Sequence, residues 1–221
     1  MEKVFLDNNI ILQYPIILDG GGSVQRFQFV DKVKQQNKTY KSGLEWCAGM
    51  GLIGYDIFSQ NLCETMSFND LFEPAIKNIL ENATNNKVSD KISAYLGNSI
   101  SVIPTDKQFD LVLANPPHTD DSKEWRKISM QDFIDSDREP WNPKLYDNWE
   151  RLIVDEEWKS HYDFFKHLKN YLLPDADIFI SEYAKFDVLE ELFQKDFDII
   201  SVEDFPALGP HGLLYHLKEK K

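Results

Sequence analysis

The sequence predicts an α/β fold in which a doubly wound, mostly parallel sheet ends in an antiparallel hairpin. From Lys41 onward, apolar β-prone runs alternate with stretches of helical periodicity, a pattern typical of a parallel sheet covered by helices on both faces. The last two apolar runs, "FDIISVEDF" and "GLLYHLK", have no helix between them. We therefore expect these two strands to pair as a hairpin at the edge of the sheet.

The N-terminal residues 1–40 are predicted to form a small appendage of one hairpin and one helix. The runs "KVFL" and "IILQYPIIL" flank the turn-type cluster "DNN", which favours a hairpin. A helix is expected from about Val24 to Gln36, with Ser23 as its N-cap. Before it lie Gly20–Gly22, which we interpret as a flexible connection in preference to a backbone lid over a bound ligand.

The main domain is predicted to span residues 41–221. The 42% hydrophobic content of the 221-residue chain suits one full-sized core. Seven strands are expected, in the order "SGLEW", "ETMSFND", "ISAYLG", "FDLVLA", "DIFISEY", "FDIISVEDF" and "GLLYHLK". The helices between them are expected at about Leu52–Gln60, Pro74–Asn85, His161–Leu173 and Val188–Gln194. The remaining long segment, residues 119–160, is predicted to be a lid-like insertion.

Composition disfavours several classes of protein. A net charge of −13 and an isoelectric point near 4.8 oppose attraction to a phosphate backbone, which needs clustered Lys and Arg. The two cysteines, Cys47 and Cys63, lack metal-ligand spacing, so we predict neither a disulfide framework nor a metal site. No apolar run approaches the roughly 20 residues of a membrane helix. We therefore expect a cytoplasmic protein.

A glycine-rich turn follows the first strand of the main sheet. The segment "GMGLIG", Gly49–Gly54, matches G-x-G-x-x-G and precedes a predicted helix, as in nucleotide-binding, Rossmann-like folds. Asp70, about 20 residues further on, is placed to accept hydrogen bonds from a ribose. Two ligands fit this pattern: a dinucleotide with its pyrophosphate at the turn, or S-adenosylmethionine along the same strand ends.

An acidic residue ahead of the turn separates these two ligands. Glu45 lies four residues before Gly49, where a carboxylate would repel a pyrophosphate but could organise the cationic amino-acid end of S-adenosylmethionine. Both acids also have structural alternatives. Glu45 could cap the adjacent loop, and Asp70 could be the N-cap of the following helix.

The stretch "FDLVLANPPH", Phe109–His118, ends a buried strand with an amide and two prolines. The Asn115 side-chain oxygen and the Pro116 carbonyl can accept N–H bonds from a planar nitrogen, a poor nucleophile until its lone pair is oriented. Prolines hold those carbonyls without competing donors. His118 would stack on a planar substrate or help the departing proton away. The structural alternative is an Asn-Pro turn that only ends the strand.

The pairing of "LEWCAGMGLIG" with "FDLVLANPPH" resembles the class I S-adenosylmethionine-dependent methyltransferases, in particular the Asn-Pro-Pro branch that methylates adenine and glutamine nitrogens. The resemblance covers roughly Leu44 to Lys218 and implies a seven-stranded methyltransferase fold, with residues 41–221 as the catalytic domain. It implies catalytic roles for Asn115, Pro116, Pro117 and His118. It implies that S-adenosylmethionine is bound by Glu45, Cys47, Ala48, Gly49, Gly51, Asp70, Leu71, Asn98, Ser99 and Asn115. Two positions depart from the family pattern, because Asn98 replaces a common Asp and His118 replaces a Tyr or Phe.

The predicted insertion bears on the identity of the methyl acceptor. Thr119–Ser160 holds twelve Asp and Glu against seven Lys and Arg, which favours a neutral or cationic acceptor such as a protein side chain, peptide or small molecule. Its four tryptophans argue against disorder. The alternative is adenine N6-methylation of RNA or DNA, with Lys123, Arg126 and Lys127 as a basic patch.

Two further classes stay open at this point. An NAD-dependent oxidoreductase would use the same glycine turn, although Glu45, the missing second catalytic domain and the terminal hairpin disfavour it. A non-catalytic module could keep the cofactor fold and hold a partner protein through its acidic insertion. Three further histidines, His161, His167 and His216, are expected to be structural.

Overall fold

The computed structural model describes residues 1–15, 19, 22–118, 154–183 and 185–220. The chain begins with an antiparallel hairpin of β1 (Glu2–Phe5) and β2 (Ile11–Tyr14), joined by a short 3₁₀ turn. Helix α1 (Gly22–Gln35) follows. The predicted insertion at residues 119–160 lies mostly outside the described residues, as do Gly20 and Gly21, so the lid-like insertion and the flexible connection at the glycines remain predictions.

Within the described residues the main sheet has seven strands, as predicted. They are β3 (Gly43–Trp46), β4 (Met66–Asp70), β5 (Ile92–Leu96), β6 (Phe109–Ala114), β7 (Leu172–Glu182), β8 (Phe197–Asp204) and β9 (Leu213–Glu219). The helices between them are α2 (Leu52–Ser59), α3 (Glu73–Asn85), α4 (Lys159–Leu168) and α5 (Asp187–Asp196). The spatial order is β5-β4-β3-β6-β7-β9-β8. The first five strands are parallel and β9 is antiparallel to both neighbours, which confirms the mostly parallel sheet with a terminal hairpin.

This strand order creates a switch point between β3 and β6. From β3 the chain moves outward through β4 to β5, and it then returns to place β6 on the other side of β3. The connections that leave β3 and β6 therefore run in opposite directions. Ligands of open α/β sheets bind in the crevice that forms at such a point, outside the carboxyl ends of the strands.

Hydrophobic side chains cover both faces of the sheet. Phe29 of α1, Tyr55 of α2 and Phe68 of β4 belong to one buried cluster, whereas Phe164 of α4 and Phe193 of α5 belong to the other. Burial on both faces explains why the central strands read as continuous apolar runs. In the part of the chain that the structure describes, no helix is both long and apolar enough to cross a bilayer.

The N-terminal hairpin is fixed to α3 by a ladder of asparagines spaced four residues apart. The Asn82 carboxamide accepts a hydrogen bond from the Gln13 N–H at 2.9 Å and donates to its carbonyl at 3.0 Å. Asn86 does the same with the backbone of Ile11, at 2.8 Å in both directions. Asn78 also donates to the Gln13 carbonyl. The ladder satisfies one open edge of β2, and a domain boundary at residue 40 stays a prediction.

The first helix begins earlier than predicted. It starts at Gly22, so Ser23 lies within its first turn and the predicted N-cap role of Ser23 is wrong. The carboxylate of Asp19 accepts a hydrogen bond from the Ser23 N–H at 3.2 Å. A carboxylate that precedes the helix therefore satisfies an N–H of the first turn.

The fourth helix ends earlier than predicted. It ends at Leu168 instead of Leu173, and after one 3₁₀ turn the strand β7 begins at Leu172. Leu172 already pairs with Phe109 of β6. Pro174 accounts for the difference, because the residue before a proline is pushed from the helical to the extended region.

Candidate active site

The predicted site residues follow adjacent strands at the carboxyl edge of the sheet. Residues at the ends of β3 pair with residues at the ends of β4 and β6, and the last residues of β6 pair with β7. Asp70 ends β4, Cys47 follows β3 and Asn115 follows β6. The fold therefore brings the glycine turn, the acid of β4 and the Asn-Pro-Pro stretch to one edge.

The glycine turn takes a backbone conformation that its sequence explains. Cys47, Gly49 and Gly51 all have positive φ, at 54°, 52° and 76°. The amide of Gly51 closes the turn by donating to the Ala48 carbonyl at 2.7 Å. A Cβ on Gly51 would also lie 2.9 Å from the ring of Phe68, so both conformation and space require glycine at this position.

Asp70 ties the glycine turn to β4. One carboxylate oxygen accepts from the Gly49 N–H at 2.8 Å and the other from the Phe72 N–H at 2.8 Å. Burial raises the pKa of Asp70, although these backbone N–H groups oppose the shift. The N-cap residue of α3 is Phe72, so the alternative that Asp70 is the N-cap is wrong.

Glu45 is buried in β3, directly below the helix that follows the turn. Its Oε2 atom accepts a hydrogen bond from the Gly54 N–H at 2.7 Å. Burial raises the pKa of Glu45 to about 8, the bond from Gly54 opposes the rise, and the charge of Asp70 adds to it. Glu45 therefore contacts the first turn of α2 and not the loop that its structural alternative would have it cap. Two neighbouring carboxyl groups suit a cationic ligand better than a pyrophosphate.

The other predicted cofactor residues lie beyond the ends of β4 and β5. The side chain of Leu71 is 54% exposed, so an apolar surface is available beside Asp70. Asn98 is also exposed. The hydroxyl of Ser99 accepts from the Ser101 N–H at 3.1 Å and begins a 3₁₀ turn, which gives Ser99 a local structural role as well.

The Asn-Pro-Pro stretch is held by the neighbouring strand β7. The Ser181 hydroxyl donates a hydrogen bond to Oδ1 of Asn115 at 2.9 Å. This hydrogen bond fixes the Asn115 carboxamide against β7. Pro116 and Pro117 are buried and bring no N–H groups into the site.

His118 faces a buried network of charged side chains. Its Nδ1 atom lies 3.6 Å from Oε2 of Glu182, the last residue of β7. The other oxygen of Glu182 lies 3.0 Å from Nε2 of His161, and Nδ1 of His161 lies 2.6 Å from Asp155. Asp155 also accepts hydrogen bonds from the Ser160 and His161 N–H groups at the start of α4.

The charges of this network support one another. Burial alone would lower the pKa of His161, but the charges of Glu182 and Asp155 outweigh it and raise the pKa to about 9. Burial alone would raise the pKa of Glu182, but the charge and hydrogen bond of His161 together with the neighbouring His118 outweigh it and the pKa is lowered. At neutral pH the network therefore holds an imidazolium between two carboxylates.

Sequence reasoning did not find Ser181 and Glu182. A signal was present, because "SE" follows the apolar run "IFI" and polar residues at the carboxyl end of a buried strand face the ligand side of such sheets. His161 was expected to be structural. It is fully buried and carries part of the network beneath the site.

One family model matches the chain, that of the methyltransferase small domain, over residues 28–143. This match covers 116 of the 221 residues. It includes the glycine turn, Asp70 and the Asn-Pro-Pro stretch. No curated protein sequence matches the chain.

Several solved structures share the fold. The ribosomal protein L11 methylase of Lactobacillus delbrueckii subsp. bulgaricus is 14% identical at a TM-score of 0.58, over 89% of this chain and 79% of that protein. The glycopeptide N-methyltransferase MtfA, solved with S-adenosylmethionine, is 12% identical at 0.57, over 89% and 94%. The tRNA methyltransferase TrmK of B. subtilis is 6% identical at 0.57, over 90% and 66%.

Proposed function

The chain belongs to the methyltransferase small-domain family and is an S-adenosylmethionine-dependent methyltransferase, and from this premise we propose that it methylates a planar nitrogen of a protein side chain, peptide or small molecule. Of the two ligands that fit the glycine turn, the family assignment selects S-adenosylmethionine and excludes a dinucleotide. The observation that carries the proposal is the Asn115 carboxamide, fixed by Ser181 beside the glycine turn.

The residues at the carboxyl edge fit the proposed cofactor site. S-adenosylmethionine supplies an electrophilic methyl group on a positively charged sulfur. Glu45 and Asp70 place two carboxyl groups near the glycine turn, where they suit the positive charges of this ligand. The proposed contacts also include Cys47, Ala48, Gly49, Gly51, Leu71, Asn98, Ser99 and Asn115.

Asn115 and Pro116 are proposed to orient the acceptor nitrogen. The Asn115 side-chain oxygen and the Pro116 carbonyl would accept N–H bonds from the acceptor. Those bonds direct the nitrogen lone pair at the methyl group and favour the positive charge that develops on the nitrogen. Pro117 stiffens the backbone behind them, and His118 completes the acceptor side.

Charge favours a protein or peptide acceptor over a nucleic acid. The chain carries a net charge of −13, which would repel a phosphate backbone. The related folds have both kinds of acceptor, a ribosomal protein and a glycopeptide on one side and a tRNA on the other. Adenine in RNA or DNA is therefore the second outcome of the test below.

The test offers acceptors in parallel to the purified protein with methyl-labelled S-adenosylmethionine. We expect label in glutamine-containing peptides or small planar amides, and background label in tRNA and in adenine-containing DNA. Binding of S-adenosylhomocysteine is measured calorimetrically in the same preparation. Label confined to nucleic acid would overturn the acceptor assignment, and micromolar product binding would then show that the cofactor site was intact.

The raised pKa of Glu45 predicts that ligand binding releases a proton. With a pKa of about 8, Glu45 is mostly protonated at pH 7, and a cationic amino group bound beside it favours ionisation. S-adenosylhomocysteine binding should therefore release just under one proton at pH 7, roughly 0.9 from the pKa, and affinity should rise between pH 7 and 8. Calorimetry in buffers of different ionisation enthalpy measures this release. The Glu45→Gln variant should show none, and an equal release from both proteins would contradict the assignment.

A further inference from the structure

Two buried polar atoms face each other at the acceptor side of the site without a hydrogen bond. Nδ1 of His118 and Oε2 of Glu182 each lack a hydrogen-bonding partner among the described residues, and they lie 3.6 Å apart. The Glu182 side chain is 1% exposed and that of His118 is 12% exposed. Unsatisfied buried polar atoms are costly, and catalytic hydrogen bonds are often long before a substrate is bound.

The structure keeps Glu182 ionised in this buried place. The imidazolium of His161 lies 3.0 Å from its other oxygen, and Asp155 holds His161 from behind at 2.6 Å. The rings of Trp46 and Trp158 pack edge-on against His161, with centroids 5.4 and 5.2 Å away. The two tryptophan rings therefore shield the pair of His161 and Glu182. Oε1 of Glu182 contacts His161, and Oε2 faces His118.

We propose that Glu182 is a positioning residue that accepts the Nδ1–H of His118, so that Nε2 of His118 is the proton acceptor of methyl transfer. A carboxylate at one ring nitrogen fixes the tautomer in which the other nitrogen carries the lone pair. This inference rests on the proposed function for the acceptor, but the tautomer of His118 does not depend on it. Proton acceptance by His118 replaces the stacking role that a Tyr or Phe at this position would have.

Methyl transfer adds one methyl group to the acceptor nitrogen and removes one proton from it. The acceptor nitrogen forms a bond to the methyl carbon, the bond between that carbon and sulfur breaks, and its electron pair stays on sulfur. The nitrogen then carries a positive charge and loses its proton to Nε2 of His118. The imidazolium formed is balanced by the carboxylate of Glu182, whose charge the network of His161 and Asp155 maintains. Bulk water takes the proton from His118 in turnover.

The first test reads the tautomer directly in the wild-type protein. Histidine-selective ¹⁵N NMR separates Nδ1–H from Nε2–H imidazoles, and a His118→Gln variant assigns the signal. We expect neutral His118 with its proton on Nδ1, and a shift toward the Nε2–H form in Glu182→Gln. An Nε2–H tautomer in the wild-type protein overturns the proposal. The wild-type spectrum needs no variant of the buried network to fold.

The second test is a double-mutant cycle on turnover. We expect His118→Ala and Glu182→Gln each to lower kcat by about 10²-fold, with S-adenosylhomocysteine affinity within about threefold of wild type. The double variant should be no slower than His118→Ala, because Glu182 acts through His118. Independent effects would multiply to about 10⁴-fold and would overturn the proposal. Glu190→Gln is the matched control, since Glu190 lies on α5 and contacts Tyr215 and Lys185.

The two tests separate this inference from the proposed function. If the acceptor class is wrong, wild-type protein will not label peptides or amides, yet the Nδ1–H tautomer will still be seen. If Glu182 only serves the structure around His161, peptides will be labelled but His118 will show the same tautomer in wild type and Glu182→Gln.

Discussion

Asn115→Ala is expected to lower kcat by about 10²- to 10³-fold while S-adenosylhomocysteine affinity stays within about threefold of wild type. The variant removes the side-chain oxygen that Ser181 holds at 2.9 Å. Removing one preorganised hydrogen-bonding group that acts on developing charge costs about this factor in other enzymes. The Pro116 carbonyl remains and limits the loss. Single-turnover rates and product titration on one preparation measure the two quantities separately.

The matched control is Asn85→Ala. Asn85 is an exposed residue at the end of α3, so its replacement should leave both turnover and product binding unchanged. Turnover of Asn115→Ala within twofold of wild type would remove Asn115 from the mechanism. A parallel loss of product binding would instead show that Asn115 acts mainly through its proposed contact with the cofactor.

The order of elements was predictable because each one is encoded locally. The sheet strands are short apolar runs, and the helices carry their own periodicity. The glycine turn was also predictable from the sequence. Gly51 has a positive φ and no room for a Cβ, and only glycine satisfies both conditions. The terminal hairpin followed from the absence of a helix between "FDIISVEDF" and "GLLYHLK".

The parts that sequence reasoning missed depend on residues distant in the chain. Ser181 reaches Asn115 across 66 positions, and Glu182 meets His118 only because β7 lies beside β6. His161 looked like an ordinary buried histidine, since Asp155 is near it in sequence but Glu182 is not. The asparagine ladder of α3 forms hydrogen bonds with β2, more than 60 residues away in the chain. No local sequence pattern predicts these bonds.

The positions of the two acids in the site were predictable from the sequence, but their protonation states were not. The spacing of Glu45 and Asp70 from the glycines predicted that both lie near strand ends. Their protonation was not predictable, because it depends on burial and on the Gly54 and Gly49 N–H groups that each carboxyl contacts. A buried acid with a pKa near 8 destabilises the folded protein at high pH, and the proposed cationic ligand would relieve that cost.

The largest expected loss of stability is at the opposite edge of the sheet. Asp177 of β7 is fully buried and accepts hydrogen bonds from the Tyr40 hydroxyl at 2.7 Å and from Nε2 of His216 at 2.7 Å. Lys38 and Lys218 add ion pairs to the same carboxylate. This group therefore links the segment before β3 to both β7 and β9.

We expect Asp177→Ala to lower the free energy of unfolding by about 3–5 kcal/mol, the usual cost of removing one partner from a buried charged cluster. Both Tyr40 and His216 would lose their acceptor, whereas the two lysines can turn to solvent. Urea unfolding of the two proteins measures the difference. Asp196→Ala is the control, because the pair of Asp196 with Lys169 at 3.3 Å is exposed and should contribute about 0.5 kcal/mol or less.

The pH dependence of this difference gives a second check. Burial alone would raise the pKa of Asp177, but hydrogen bonds from His216, Lys38 and Tyr40 outweigh it and lower the pKa below its usual value of 3.8. A lowered folded-state pKa contributes stability that is present above the unfolded pKa and is lost as pH falls. The gap between wild type and Asp177→Ala should stay constant from pH 8 to about 5 and shrink below about 4. A gap that is unchanged in acid would mean that the alanine acts through lost packing and not through lost charge.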